Sequence, residues 1–284
     1  MDTRFSRQRD NQPPPLQETP EVFTAPAAEV ENGKAVPTEA GAIPRAGGSR
    51  RWPGTLVRAV ASQDYIGVLA AAVVLTLGIG ILHPDFLQPA QLLDILGQAA
   101  FVAILACGMA FLLAMRELDL SAGSTYGLTS LCAAMLMHAG LNSWVSAGLG
   151  ILIGAGLGLA NGLLIQLFRL PSIISTLATL SIYRGLIYAL SDGNQVIGLT
   201  LSDPFADFIG GHFLGLSTNI WVMIVVVALF AVVLYATPFG YRVRAIGSNP
   251  EAAEFSGLPM TRVRLRAFIL MGALGGLAGM LSLG

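Results

Sequence analysis

Apolar residues dominate the chain from residue 65 onward, and short polar stretches divide them into seven runs. The runs cover 65 to 82, 95 to 115, 122 to 140, 145 to 168, 172 to 190, 219 to 236 and 267 to 284. Each run is close to the roughly 20 residues, at about 1.5 Å apiece, that an α-helix needs to cross a bilayer. The pattern therefore predicts an all-α polytopic membrane protein, folded as a multi-helix transmembrane bundle.

The first 60 residues have a different pattern. They are rich in Pro, Ala, Glu and Gly, and they contain eight of the 15 prolines of the chain. No apolar run follows the early arginines until residue 65, which is too far for a secretory signal. Because this composition offers little apolar surface to bury, we predict a disordered cytoplasmic tail over 1–60 and a transmembrane domain over 61–284.

Composition and charge agree with a membrane location and orient the predicted helices. Hydrophobic residues make up 54% of the chain and charged residues only 12%. Of the 16 Lys and Arg residues, eight precede residue 60 and five lie between the sixth and seventh runs, whereas 83–94 and 191–218 contain none. Since basic loops stay in the cytoplasm, we predict a cytoplasmic N-terminus. The net charge of −1 gives no reason to expect a nucleic-acid partner.

Glycines recur every fourth residue in two of the runs. Gly150, Gly154, Gly158 and Gly162 share one face of the fourth run, and Gly272 and Gly276 share a face of the last. Small residues at this spacing let two membrane helices approach closely. We therefore expect tight helix contacts along both faces.

A charged gap, RELDLSAGS at residues 116–124, separates the second and third runs. It is either an ordinary cytoplasmic turn, in which Asp119 or Ser121 caps the next helix, or a broken membrane segment. Gly123 permits unwound backbone, which at membrane depth is tolerated only where protein encloses it or where it lines a water-filled cavity. In the second case its carboxylates would face a polar passage. The gap alone leaves both alternatives open.

A second polar stretch, residues 240–266, predicts a short cytoplasmic helix with defined ends. Ser248 or Asn249 suits the N-cap and Pro250 the first helical position. Gly257, followed by a proline, ends the helix after about two turns. Such a helix either rests on the lipid headgroups or binds a soluble partner protein.

Three stretches, in this order, resemble the ribose-type sugar permeases of the branched-chain amino acid and sugar permease superfamily. GMAFLLAMRELDLSAGSTYGLTS resembles a GIDLSVGS-type signature, and NGLLIQLFRLPSIISTLATLSIYRGL resembles NGLLIxxxxxPxFIxTLxTxxIxRG. AIGSNPEAAEFSGLPMTRV is similar to an AIGGNxEAARLSGI coupling segment. Together they cover most of residues 65–284. The permeases of this superfamily are the membrane subunits of ATP-binding-cassette importers.

The resemblance implies roles for residues in this chain. It places beside the translocation path Asp119, Leu120, Ser121 and Gly123. It places in the ATPase-coupling segment Asn249, Glu251, Ala252, Ala253 and Gly257. Arg184, in SIYRGL, either faces the path or extends to the membrane surface. Neutral polar residues such as Asn161, Thr176 and Tyr183 either bind a polyol or link helices.

The resemblance also implies partners and a location. The partners would be a cytoplasmic ATPase that binds ATP, a periplasmic or extracellular solute-binding protein, and a second permease subunit in a homodimer or heterodimer. The location would be the bacterial plasma (inner) membrane, with multiple passes through the bilayer. The chain itself would then need no cofactor.

Two departures from the family pattern are visible. Arg116 and Glu117 stand where the family usually has small residues, and the chain stops at GMLSLG, where such permeases continue through further spans. We therefore expect a C-terminally truncated permease domain. A secondary carrier that acts without an ATPase, or a fragment that does not transport, remains the alternative.

An enzymatic role is not indicated. The only lysine, Lys34, lies in GKAV, which lacks the Ser or Thr of a P-loop. The apolar runs contain no paired carboxylates, Ser/His sets or metal-spaced ligands, so we predict no catalytic and no metal-binding residues. Secondary carriers tend to keep carboxylates within their spans, and none lies near the centre of a run.

Overall fold

The computed structural model describes residues 65–194, 196 and 203–283, so the predicted tail over 1–60 lies outside the described residues. Seven helices match the seven predicted runs, namely α1 (Tyr65–Leu82), α2 (Pro89–Leu113), α3 (Ala122–His138), α4 (Ser143–Phe168), α5 (Ser172–Ser191), α7 (Thr218–Ala236) and α10 (Met260–Leu281). Short helices lie in the connections: α6 (Pro204–Ile209), α8 (Pro238–Ser248) and α9 (Pro250–Phe255). A 3-10 turn covers Pro84–Leu87, and a small hairpin pairs β1 (His212–Phe213) with β2 (Leu216–Ser217).

The predicted helical membrane fold is confirmed, with one qualification about length. Five of the described helices, α2, α4, α5, α7 and α10, are long and apolar enough to cross a membrane. Helix α1 is apolar over Ile66–Leu82 but shorter, and α3 has only 17 residues. Because 17 residues span about 25 Å, α3 alone is shorter than a typical hydrocarbon core. The prediction of about seven spans therefore depends on α1 and α3.

Two of the long helices begin earlier than the hydropathy pattern predicts. Helix α2 begins at Pro89 rather than residue 95, and α10 begins at Met260 rather than residue 267. The first turns of both helices carry polar or charged residues. A hydropathy pattern leaves such residues out of an apolar run, although they are compatible with a helix. Helix α8 was not predicted at all, although Thr237 caps it and Pro238 follows at the first position.

Helices α4 and α10 form the central pair of the bundle, and glycines allow their backbones to touch. A Cβ added at Gly158 would lie 2.9 Å from the carbonyl carbon of Phe268, and one added at Gly276 would lie 2.7 Å from Ile151 Cα. Real Cβ atoms essentially never approach other atoms under 3.0 Å. The close approach predicted from the glycine spacing is confirmed, and the structure identifies the two faces as partners.

An apolar cluster at one end of the bundle fixes the short helices α8 and α9. It includes the fully or almost fully buried side chains of Phe111, Val243, Ala253 and Phe268. Phe111 also stacks on Phe239, with ring centroids 5.9 Å apart. Because α2, α8, α9 and α10 all contribute to this cluster, the polar segment 240–266 is packed against the membrane helices.

The opposite end of the bundle carries α6 and the hairpin. Asp203 caps α6 by accepting hydrogen bonds from the Ser143 hydroxyl and from the Phe205 N–H, the latter at 2.8 Å. These bonds, that from Ser143 first, hold the pKa of the Asp203 carboxyl below its ordinary value. The Trp221 indole N–H donates to the Phe213 carbonyl at 2.9 Å, which ties the hairpin to α7.

Candidate functional site

The helix break, defined as residues 114–121, is partly buried. It connects α2 to α3 without regular structure, and Arg116 adopts a left-handed conformation with φ of 62°. The N–H groups of Leu118 and Leu120 donate to Ser172 Oγ at 3.2 Å and to Thr176 Oγ1 at 3.1 Å. Side chains in the first turns of α5 thus accept hydrogen bonds from backbone N–H groups that have no helical partner in the break.

Asp119 is the acceptor at the end of a buried polar network. Its Oδ1 accepts from the Ser121 N–H at 2.8 Å and from Ser121 Oγ at 2.6 Å. Asn161 on α4 donates to Ser121 Oγ at 2.7 Å and, more weakly, to Asp119 Oδ2 at 3.4 Å. Tyr183 on α5 donates to Asn161 Oδ1 at 3.0 Å. The network ties the break to α4 and α5.

The network reaches well into the bundle. Asn161 lies seven residues before Phe168, where α4 ends, which corresponds to roughly 10 Å of helix. Asn161 and Thr176 are fully buried, and Tyr183 is 5% exposed. Of the two roles left open for these residues, linking helices is the one that this conformation displays.

The residues predicted to lie beside a translocation path differ in their exposure. Asp119 is 2% exposed and Ser121 is fully buried, so in this conformation neither faces an open polar passage. The Asp119 carboxylate can be buried because Ser121 and Asn161 donate hydrogen bonds to it. Leu120 is 40% exposed, and Gly123 and Arg184 are also exposed. A role beside a translocation path stays a prediction for all five residues.

The helix break also contacts the segment at the end of α8. Arg116 Nη2 donates to the Ser248 carbonyl at 3.1 Å. A Cβ added at Gly247 would overlap the Ala114 carbonyl oxygen and lie 2.7 Å from its carbonyl carbon. The last turn of α8 is therefore in backbone contact with the break.

A salt bridge joins the break to α10. Glu117 Oε1 lies 2.7 Å from Arg264 Nε, with the two side chains 11% and 34% exposed. Arg116 and Glu117, the charges that depart from the family pattern, thus each bind a different element instead of pairing with each other. Sequence reasoning missed Arg264 because hydropathy placed it in a loop, 147 positions along the chain from Glu117.

Helix α9 has the ends predicted from sequence. Asn249 is the N-cap and accepts from the Ala252 N–H at 3.0 Å, while Gly257 adopts φ of 73° just beyond the end. Glu251, Ala252 and Phe255 are exposed, the last to 94%. Ala253 is 5% exposed and packs in the apolar cluster, so its side chain is not on the face that a partner could contact.

Comparison with known proteins identifies related membrane transport subunits. Residues 91–283 match the profile of a family described as branched-chain amino acid transport system / permease component. The ribose import permease protein of Bacillus subtilis is 37% identical over 76% of this chain and 67% of its own length. The L-arabinose ABC transporter permease protein of Azospirillum brasilense is 36% identical, over 76% of this chain and 63% of its own length.

A third relative has a different substrate in its name. The autoinducer 2 import system permease protein of Salmonella typhi is 31% identical over 74% of this chain and 60% of its own length. The chain thus spans about two thirds of the length of the curated relatives that it matches. No solved structure matches the chain.

Proposed function

Because the chain belongs to the branched-chain amino acid transport system / permease component family, we propose that it is the permease subunit of an ATP-driven importer for a sugar or similar small polar solute. The names of its relatives include ribose, L-arabinose and autoinducer 2. Its place would be the bacterial plasma membrane, with the N-terminus in the cytoplasm. A separate ATPase, an external solute-binding protein and a second permease subunit would complete the importer.

The exposed face of α9 is the observation that supports ATPase docking. Phe255 is 94% exposed on a short polar helix, next to exposed Glu251 and Ala252. Aromatic side chains are preferred anchors of protein interfaces, whereas buried Ala253 fixes the helix to the bundle from behind. A rigid helix with an exposed aromatic and an exposed carboxylate suits a groove on a soluble partner.

The contacts of the helix break suggest how docking could influence transport. A shift of α8 and α9 would act on the break through the Gly247–Ala114 contact and the Arg116 hydrogen bond. The break in turn holds α4 and α5 through Asp119 and its network. We propose that the exposed side of this unit, with Leu120, Gly123 and Arg184, borders the translocation path.

Co-purification tests this proposal. The tagged full-length chain would be purified in a gentle detergent from native membranes, and accompanying proteins identified by mass spectrometry, beside the Phe255→Ala and Phe168→Ala variants. Phe168 is the matched control because it is also exposed, to 64%, but lies at the end of α4. Loss of an aromatic anchor worth 2 kcal/mol or more weakens binding by at least about thirtyfold.

The outcomes separate the candidate functions. We expect a P-loop ATPase to accompany the parent chain and the Phe168→Ala variant but not the Phe255→Ala variant. Equal thermal midpoints for the three purified chains show that the effect is local. Absence of an ATPase from all three preparations contradicts the proposal and favours a carrier that acts alone.

A further inference from the structure

An exposed cluster of two tyrosines and one arginine lies where α7 meets α8. We define the Tyr–Arg cluster as Tyr235, in the last turn of α7, with Tyr241 and Arg244 on α8. All three side chains are exposed, Tyr235 to 69% and Tyr241 to 65%. The cluster includes no residue of α9 or of the helix break, so neither ATPase docking nor the predicted translocation path accounts for it.

Contacts with α7 fix the position of the Arg244 guanidinium. Its Cζ atom lies 5.4 Å from the centroid of the Tyr235 ring, and its Nη2 donates a long hydrogen bond of 3.4 Å to the Tyr235 carbonyl. The ring face attracts the cation, and this carbonyl is one of those that the end of a helix leaves without an intrahelical partner. The guanidinium is thus held against the end of α7.

Helix α7 places this guanidinium at the level of the lipid headgroups. It is one of the five helices long and apolar enough to cross a membrane, and only Ile220 and Val226 of its 19 residues are buried. Tyr235 lies one residue before the end of α7, and tyrosine rings at the ends of membrane helices are found at the headgroup level. Arg244 therefore lies beside the headgroups, on the outer surface of the bundle.

The positive charge of Arg244 has no carboxylate partner among the described residues. The salt bridge found there joins Glu117 to Arg264, and α8 has no acidic residue from Pro238 to Ser248. A basic residue near the membrane surface attracts anionic lipid, and the attraction corresponds to about a fivefold preference. The charge of Arg244 therefore favours an anionic lipid over a zwitterionic one.

The cluster has donors that suit a phosphate group. A guanidinium has five N–H donors, and the Tyr235 carbonyl accepts from only one nitrogen of Arg244. Guanidinium groups bind phosphate through two parallel N–H···O bonds. Tyr241 lies three positions before Arg244, on the same face of α8, so its hydroxyl can donate a further hydrogen bond to the same phosphate.

Next to the cluster, an apolar stripe runs along the exposed side of α7. It consists of Val225, Leu229 and Val232, all exposed and spaced by three or four residues, and it leads to Tyr235. The ten positions from Val225 to Tyr235 correspond to about 15 Å of helix, or half of a hydrocarbon core of roughly 30 Å. An acyl chain in one leaflet matches this length.

Protein partners fit this surface less well than a lipid does. A soluble protein with an acidic surface could approach Arg244, but it could not cover the apolar stripe, which continues into the hydrocarbon region. A symmetric contact with a second copy of the chain would use the same patch on both copies and would bring two unpaired arginines together. A lipid has both an anionic head and an apolar chain, so it matches the cluster and the stripe at once.

We propose that the Tyr–Arg cluster and the stripe beside it form a binding site for one anionic phospholipid, whose phosphate binds Arg244 and whose acyl chain lies along α7. The inference goes beyond the proposed function and rests on it only for the orientation, which places the site in the cytoplasmic leaflet. Binding of the lipid requires neither the ATPase nor a transported solute.

Lipid competition tests the site in the full chain. The purified, delipidated chain would be mixed in detergent with equal amounts of phosphatidylglycerol and phosphatidylcholine that have the same acyl chains, and the bound lipids counted by native mass spectrometry. We expect about five bound molecules of phosphatidylglycerol for each phosphatidylcholine. In Arg244→Gln the two lipids should bind about equally, because the unpaired charge is gone.

Two further variants control the test. Arg266→Gln removes another exposed arginine, in the second turn of α10, and should keep the fivefold preference. Tyr235→Leu leaves the charge of Arg244 in place but removes the ring that holds it, so it should weaken the preference without changing Arg244 itself. Phosphatidylglycerol should also raise the thermal midpoint of the parent chain and of Arg266→Gln, but not that of Arg244→Gln, because a ligand stabilises only a folded chain that binds it.

The outcomes are distinct from those of the ATPase test. Equal binding of the two lipids by the parent chain overturns the site, and so does an equal loss of preference in Arg244→Gln and Arg266→Gln, which would indicate a general attraction to basic residues. If Arg244→Gln keeps the lipid preference but loses the accompanying ATPase, the cluster is a protein contact and the proposal is wrong. A fivefold preference in a parent chain that brings down no ATPase supports the lipid site and contradicts the importer.

Discussion

The contact between α4 and α10 allows a sharp test of the packing that holds the bundle together. We expect Gly158→Ala to destabilise the protein, because the added Cβ would overlap the Phe268 carbonyl oxygen and lie 2.9 Å from its carbonyl carbon. It would also lie 3.1 Å from Gly272 Cα, where ordinary contacts begin near 3.4 Å. These neighbours are backbone atoms, which no side-chain rotation can move away. The two helices would have to separate.

The expected magnitude follows from two opposing effects. Overpacking a well-packed interface costs about 1–3 kcal/mol. Replacing Gly with Ala inside a helix stabilises the helix by up to about 1 kcal/mol, because Ala has the higher helix propensity. With the full offset, we expect the free energy of unfolding to fall by up to about 2 kcal/mol in Gly158→Ala.

Gly156→Ala is the matched control. It makes the same exchange two residues away in the same helix, where a Cβ would meet nothing within 4 Å. Only the propensity effect then remains, so Gly156→Ala should be neutral or stabilised by up to about 1 kcal/mol.

Reversible unfolding in mixed micelles, with rising fractions of sodium dodecyl sulfate and tryptophan fluorescence as the signal, would measure both variants. The parent chain contains three tryptophans. If Gly158→Ala and Gly156→Ala shift the unfolding midpoint equally, the close backbone contact between α4 and α10 is wrong.

Two further predictions concern the helix break, and thermal unfolding would measure both. Asn161→Leu should lower the free energy of unfolding by about 2–3 kcal/mol, because it leaves the buried Asp119 carboxylate with fewer donors. Tyr183→Phe should lower it by only about 1 kcal/mol, and equal losses in the two variants would contradict this network. Glu117→Gln should lower the free energy of unfolding by about 1 kcal/mol, since the ion pair with Arg264 is partly exposed. This loss should shrink at high salt, and a loss that does not depend on salt would count against an ionic contribution.

The short helices illustrate how far local sequence signals extend. Asn249 and Gly257 predict the ends of α9 correctly, because capping depends on residues adjacent in sequence. Thr237 is an N-cap residue of the same kind for α8, yet the hydropathy pattern predicts no helix there. The burial of Ala253 was beyond prediction, since it depends on which elements pack around α9.

The residues around Asp119 show the corresponding limit for the site. The sequence singles out the charged gap, and its resemblance to a permease signature points to function. It does not show that Asn161, 42 positions from Asp119, donates to both Ser121 and Asp119. Such a pairing requires α4 and α5 to be in place, so no local pattern could specify it.

The sequence by itself determined the class of the protein, the position of its apolar helices and the two faces rich in glycine. It could do so because hydropathy, helix length and residue size act locally along the chain. Only the tertiary structure decided that the faces of α4 and α10 meet, that Glu117 pairs with Arg264, and that Asn161 donates to Ser121. Those features depend on contacts between residues far apart in the chain, which exist only once the helices have packed.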